Sequence, residues 1–158
     1  MTEAESIAYY KSLSFPKPAL TADIVVLAKQ EDHYEVLLIQ RKNHPFIGQF
    51  ALPGGFADEN EPVEQTAARE LEEETGYRTD KLEYLMTINT TVALCNEAID
   101  VFVAKNLIPS KQNLDADESI DVEIWEVKDL LELIYSGKMT DSKTIAAVLA
   151  YAQQEGIR

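Results

Sequence analysis

The chain has 158 residues, 46% of them hydrophobic, and a formal net charge of −14. That length suits one domain with its own core. No apolar run approaches the roughly eighteen residues of a membrane-spanning helix, and the acidity argues against general nucleic-acid binding, whose affinity comes mostly from neutralising phosphates. Acidity remains compatible with a phosphate-bearing substrate when divalent cations mediate the contact. The N-terminus, MTEAESIAYYKSL, lacks the basic start and apolar run of a signal peptide. Cys95 is the single cysteine, so no internal disulfide can form, and a cytoplasmic location is the expectation.

Residues 1–20 read as a lead-in, with Pro16 and Pro18 blocking regular structure, and residues 21–158 as a single domain. Two β-branched apolar runs, Ala22 to Ala28 and Tyr34 to Ile39, flank a polar stretch from Lys29 to His33 and predict a β-hairpin. A Gly/Pro-rich connection follows over 46–57, with a short strand expected at Gln49 to Leu52. Pro62 to Thr75 predicts a helix, with Pro62 at its start and Gly76 as its C-terminal cap. Strands are expected at Leu82 to Val92, Ala98 to Ala104 and Ile120 to Val127. Helices are expected at Lys128 to Ser136 and Lys143 to Gln153, the second capped by Asp141 or Ser142. Strands around one central helix, with helices at the end, point to a mixed sheet sandwiched by helices.

The central helix carries the chemistry. On a wheel of about 100° per residue, Val63, Ala67, Ala68 and Leu71 form an apolar stripe. Glu70, Glu73 and Glu74 share one side at three- and four-residue spacing, with Glu70 and Glu74 at the edge of the stripe. Clustered carboxylates at a core boundary repel one another, and a divalent cation resolves the conflict. Mg²⁺, or Mn²⁺ in its place, suits carboxylate oxygens and substrate phosphates. Glu61 stands ready to add a carboxylate from the helix entrance, and Arg69 to orient a glutamate or offset charge. Gly54 and Gly55 allow close backbone approach or positive φ. By contrast, Glu64 and Glu72 read as solvated, Trp125 as core, and His33 and His44 as turn residues without zinc-ligand spacing.

The segment from Gly54 to Gly76 resembles the Nudix box: Gly55, five residues, Glu61, seven residues, Arg69-Glu70-Leu71, one residue, Glu73-Glu74, one residue, Gly76. Tyr77 stands where an aliphatic residue is usual. The resemblance implies an α/β/α sandwich in which the box forms a loop–helix–loop. It also implies a metal-dependent hydrolase that cleaves a nucleoside diphosphate linked to another group. Glu70, Glu73 and Glu74 would ligate Mg²⁺ with the Gly55 carbonyl, Arg69 would orient them by salt bridge, and Glu61 would be a looser or structural member.

Flanking segments narrow the substrate. The stretch from Leu37 through Arg41-Lys42 and Phe46 to Gly55 resembles ADP-ribose pyrophosphatases and the Nudix domains of ADP-ribose-sensing regulators. Leu114 to Trp125, and Asp141-Ser142-Lys143-Thr144, are similar to ADP-sugar pyrophosphatases, in which a loop glutamate acts as base or extra ligand. Glu118 is the position that resemblance implies, with Asp115 and Asp117 as neighbours. Val92-Ala93 replaces the Pro-Gly pair common in ADP-ribose enzymes, and a following glutamate remains as Glu97. Arg41 either binds phosphate or ends its strand. Phe46 and Phe50 either stack on adenine or pack inward. Arg41, Phe46 and Glu97 are the substrate-binding candidates.

Hydrolysis of ADP-ribose to AMP and ribose 5-phosphate is therefore expected. The alternatives are a hydrolase of damaged nucleoside triphosphates or dinucleoside polyphosphates, and a non-catalytic ADP-ribose sensor. Similarity of the lead-in to ADP-ribose enzymes implies a homodimer, which light scattering returning a 17.7 kDa particle would exclude.

Overall fold

The computed structural model describes residues 20–43, 46–92, 96–115 and 118–158. Expectations resting on the lead-in before Leu20, His44, Ala93, Cys95 and Asp117 lie outside the described residues, as does the dimer contact assigned to that lead-in.

The predicted hairpin forms as β1 (Leu20–Lys29) and β2 (Tyr34–Arg41), paired antiparallel from Val26↔Leu37 to Lys29↔Tyr34. Beyond this pairing the two strands part. The start of β1 pairs instead with β4 (Gly54–Phe56), and the end of β2 pairs with β3 (Phe50–Ala51). The Gly/Pro-rich connection thus fills the opening between β1 and β2, tied by Ile24 N–H donating to the Pro53 carbonyl at 2.9 Å. This opening positions the candidate site.

The helix α1 (Val63–Thr75) follows, then β5 (Tyr77–Arg78), β6 (Leu82–Asn89) and β7 (Ala98–Ala104). β8 (Ile108–Pro109), β9 (Ile120–Glu126), α2 (Val127–Tyr135) and α3 (Ser142–Glu155) complete the described chain. β7 runs parallel to β1 and antiparallel to β6, while β9 runs antiparallel to β2, so the sheet is mixed. β5 and β8 pair separately.

Alternation along β1 sends side chains into two cores. Ala22, Ile24 and Val26 join Leu37, Phe102 and Ala104 beneath Ala67 and Leu71 of α1. Val25 and Leu27 face the other way, with Val36, Leu38, Val101 and Val103, against Leu130 and Leu131 of α2 and Ala147, Val148 and Tyr151 of α3. Helices therefore cover both faces of the sheet, the expected α/β/α sandwich. β1 and β2 read as continuous apolar runs because both faces are covered.

Several expectations require correction. Ala68 is exposed, so the buried stripe of α1 narrows to Thr66, Ala67 and Leu71, joined by Glu74 and Thr75 near the end. The strand expected through Val92 stops at Asn89 and bulges between Tyr84 and Met86. Val127 opens α2 rather than closing β9; it is buried and apolar in either role, which is why periodicity could not place it. Of the two candidate caps for α3, Asp141 acts, accepting from the Thr144 N–H at 3.0 Å. The two-residue strands β5 and β8 are too short to show alternation and exist through their mutual pairing.

Candidate metal centre and active site

Pro62 adopts an extended conformation at the entrance to α1, and its carbonyl accepts from Gln65 N–H at 2.9 Å and Thr66 N–H at 3.1 Å. Gly76 ends the helix in the left-handed region, at φ 71°. The segment after β8 docks on this end. Gly76 O accepts from Ser110 N–H at 2.7 Å, Glu73 O from Asn113 N–H at 2.9 Å, and Glu74 O from the Gln112 amide at 2.6 Å. These bonds lead the acidic stretch containing Asp115 and Glu118 alongside the helix.

Arg69 organises the glutamates. Its Nη1 donates to Glu70 Oε1 at 2.7 Å and to Glu73 Oε2 at 3.1 Å. Nε and Nη2 donate to the two oxygens of Glu61 at 3.2 and 3.1 Å, and Nη2 also reaches the Phe56 carbonyl at 3.2 Å. Glu61 further accepts from Thr66 Oγ1 at 2.8 Å and Asp58 N–H at 3.2 Å. Arg69 above all, then these two donors, hold the Glu61 carboxyl down to about 2. Of the two roles open to Glu61, this geometry favours the structural one, tying the loop to the helix. Glu72 is not merely solvated: it pairs with the Ser110 hydroxyl.

Glu70 and Glu74 sit differently. A Cβ on Gly55 would lie 2.4 Å from Glu70 Oε1, so the Glu70 carboxylate rests directly on this glycine. Burial raises the Glu70 carboxyl above its usual range, with Arg69 opposing the rise. Glu74 is 2% exposed, and its Oε2 accepts from Gly54 N–H at 2.8 Å. Burial pushes it up to about 8; the Gly54 hydrogen bond opposes this, while the charges of Glu118, Glu70 and Asp23 add to it. Among the described residues, no three carboxylate, histidine or cysteine side chains converge as a ready ligand set. Glu70 and Glu73 turn to Arg69, and Glu74 to Gly54. The donor set nevertheless fits a hard divalent cation: oxygen-only, crowded with like charge, with one carboxylate buried beyond reach of the arginine.

Glu74 forms part of the wall of a cavity of about 310 Å³ shared with Arg41, Asn43, Asp115 and Glu118. Glu118 is exposed at the cavity, close enough for its charge to raise Glu70 and Glu74. Arg41 also borders a second cavity, of about 420 Å³, with Phe46, Phe50, Asp141 and Lys143. Phe46 is 66% exposed at φ 65°, so of its two readings inward packing does not hold. Phe50 packs edge-on to Trp125, with ring centroids 5.2 Å apart. Glu74, Glu118 and Arg41 thus border the first cavity and Arg41 and Phe46 the second, while Glu70 and Glu73 are held on Arg69, outside both walls. Glu97 is half-buried and outside both cavity walls, felt through its charge on Asp23.

Sequence reasoning missed Asp23. It is 3% exposed, and burial pushes it up to about 7 against the opposing charge of Lys143. Its signal was available: one aspartate inside an otherwise apolar strand. Lys143 lies 3.5 Å from Asp23 Oδ1 and 3.0 Å from Asp141 Oδ2. Burial works against its charge, but the two aspartates outweigh this and raise its pKa.

These carboxyls make metal-free stability pH-dependent. Between the ordinary glutamate value of 4.5 and about 8, folded Glu74 keeps a proton that the unfolded chain has released. Stability is then lost as pH rises through that window, and Asp23 contributes in the same sense from 3.8 to about 7. Melting curves with a chelator should show a temperature that falls from about pH 5 to about pH 8, and Mg²⁺ should stabilise more at the upper value. Equal Mg²⁺ stabilisation at both pH values would contradict this.

The NUDIX domain family model matches residues 17–148. The methanol dehydrogenase activator of Bacillus methanolicus is 36% identical over 128 residues, 78% of this chain and 69% of that protein. The ADP-ribose pyrophosphatase of Bacillus subtilis is 31% identical over 130 residues, 80% of this chain and 70% of that protein. Among solved structures, the NUDIX domain of Shewanella oneidensis NrtR complexed with ADP ribose superposes with a TM-score of 0.71 at 33% identity, covering 98% of this chain and 99% of that one. The family match spans the sheet, the glutamate helix and the start of α3 together, and on that footing this chain belongs to the Nudix hydrolase family.

Proposed function

We propose that the protein hydrolyses the pyrophosphate of ADP-ribose, releasing AMP and ribose 5-phosphate, with Mg²⁺ as its metal. The carrying observation is Glu74: a buried carboxylate, crowded by Glu70, Glu118 and Asp23, beside a cavity that Arg41 also borders. Similarity to an ADP-ribose pyrophosphatase and to a domain complexed with ADP ribose supports the choice of substrate.

Glu70, Glu73 and Glu74, with the Gly55 carbonyl, would hold the metal. When bound, Mg²⁺ supplies positive charge to the pyrophosphate oxygens. Arg69 keeps Glu70 and Glu73 on one side of α1. Arg41, between the two cavities, binds a phosphate oxygen. Glu118 takes a proton from the attacking water as its oxygen bonds to phosphorus and the bridging P–O bond breaks, a role worth roughly 10²–10⁴-fold. Phe46 offers an exposed ring for the adenine in the second cavity. Residues 21–158 constitute the catalytic unit. No described helix is long and apolar enough to cross a membrane.

A substrate panel with Mg²⁺ tests the specificity: ADP-ribose, ADP-glucose, NADH, a dinucleoside tetraphosphate and an oxidised dGTP. The highest kcat/KM should fall on ADP-ribose. Turnover confined to another of these would keep the reaction and discard the substrate. Binding of ADP-ribose without turnover of any would make the protein a sensor.

A further inference from the structure

The Asp141-Ser142-Lys143-Thr144 segment is densely hydrogen-bonded. Asp141 Oδ2 accepts from Thr144 N–H at 3.0 Å, Thr144 Oγ1 at 2.5 Å and Lys143 Nζ at 3.0 Å. From this point two arms run to the loop that supports the glutamates. Through the first, the fully buried Thr144 hydroxyl accepts from Leu52 N–H at 2.9 Å. Through the second, Lys143 crosses to Asp23, whose Oδ1 is buried and finds no hydrogen-bond partner among the described residues. Asp23 in turn lies against Gly54: a Cβ on that glycine would stand 2.7 Å from Asp23 Cα and 2.9 Å from its Cγ. Two residues beyond Leu52, Gly54 N–H points the other way, to Glu74.

We propose that Lys143 is a positioning residue for the metal site: held between Asp141 and Asp23, it presses the Leu52–Gly54 turn into the place from which Gly54 N–H fixes the Glu74 carboxylate. The turn is gripped from both faces of the sheet, by α3 below and by α1 above. Lys143 is the cation that lets a carboxylate, Asp23, stand in the wall of that grip. A neutral side chain in its place removes the cation that bridges Asp23 to Asp141; the Asp23 carboxyl then takes up a proton, and the strand end that carries Gly54 loses its tie to α3. Groups that orient ligands without touching the metal characteristically change metal affinity together with turnover. This inference rests on Glu74 serving as a ligand.

The test compares wild-type protein with Lys143→Met and with the double variant Asp23→Asn/Lys143→Met. The double variant also lacks the Lys143 bridge but leaves no buried carboxyl at position 23, and it carries the experiment if the single variant does not fold, as judged by circular dichroism. Mn²⁺ affinity is read by electron paramagnetic resonance without substrate, and kcat and KM are measured with ADP-ribose. Mn²⁺ binding should weaken by about 10–100-fold and kcat should fall by a similar factor. KM should stay within about twofold, since a positioning residue makes no substrate contact to lose. Unchanged Mn²⁺ affinity and kcat with a raised KM would overturn the proposal and make Lys143 a substrate contact in the second cavity. Wild-type values throughout would overturn it as well. If the wild type binds Mn²⁺ yet leaves ADP-ribose intact, the substrate assignment fails, while the Mn²⁺ comparison still decides the role of Lys143. A wild type that binds no Mn²⁺ overturns both.

Discussion

Replacement of Glu74 by glutamine should lower kcat on the order of 10³-fold, the rate equivalent of about 4 kcal/mol of lost charge stabilisation at the reacting phosphate. The same substitution should make metal-free melting fall less steeply between about pH 5 and pH 8, because one of the raised carboxyls is gone. The two effects have one cause. Glu74 is nearly inaccessible, and Gly54 N–H donates to its Oε2 at 2.8 Å. Its charge is costly in so buried a place, and a divalent cation held there would offset it. Glutamine keeps an oxygen for Gly54 N–H and discards the charge. Steady-state kinetics and melting curves with a chelator check both halves. A variant within tenfold of wild-type activity would remove Glu74 from the ligand set, whatever its melting behaviour.

Gly54→Ala should damage the fold itself. The new Cβ would stand 2.2 Å from the Ala22 carbonyl oxygen and 2.7 Å from Asp23 Cα, at a φ of 155°. Neither obstacle can swing aside, because Ala22 and Asp23 are held in register by β7 on the opposite side of β1. Overpacking and backbone strain together should cost about 3–5 kcal/mol. For a chain of this size that is a fall in melting temperature of roughly 10–20 °C. Thermal unfolding followed by circular dichroism measures it. A loss under about 1 kcal/mol would mean that the β1–β4 contact is looser than the structure shows.

How much of this was legible beforehand varied with the physical origin of each feature. The glutamate helix was legible because helical spacing puts Glu70, Glu73 and Glu74 on one side regardless of context, and because Pro62 and Gly76 mark its ends. The hairpin of β1 and β2 and the strand β7 were legible from apolar β-branched runs. β3 and β4 were harder: one was expected only as a short strand and the other not at all. Their pairing depends on β1 and β2 parting, a tertiary event with no local signature. Asp23 was lost inside an apolar run that was read for strand propensity, although an aspartate there needs a partner. Its partner lies 120 positions away in Lys143, a pairing that spacing rules do not reach. Phe46 went the other way. Apolar character suggested packing, yet a left-handed backbone turns the ring to solvent beside the second cavity. The arginine was expected to orient glutamates; that it also binds the Glu61 carboxylate and the Phe56 carbonyl follows from the loop's path around it.

A carboxylate-lined cavity that breaks a pyrophosphate with the help of a divalent metal must yield two monophosphates. The most direct measurement is chromatographic quantification of products from ADP-ribose and purified protein, with Mg²⁺ in one arm and a chelator in the other. AMP and ribose 5-phosphate should appear in equal amounts, dependent on Mg²⁺ and on the Glu74 carboxylate. ADP-ribose recovered intact in both arms would exclude this activity.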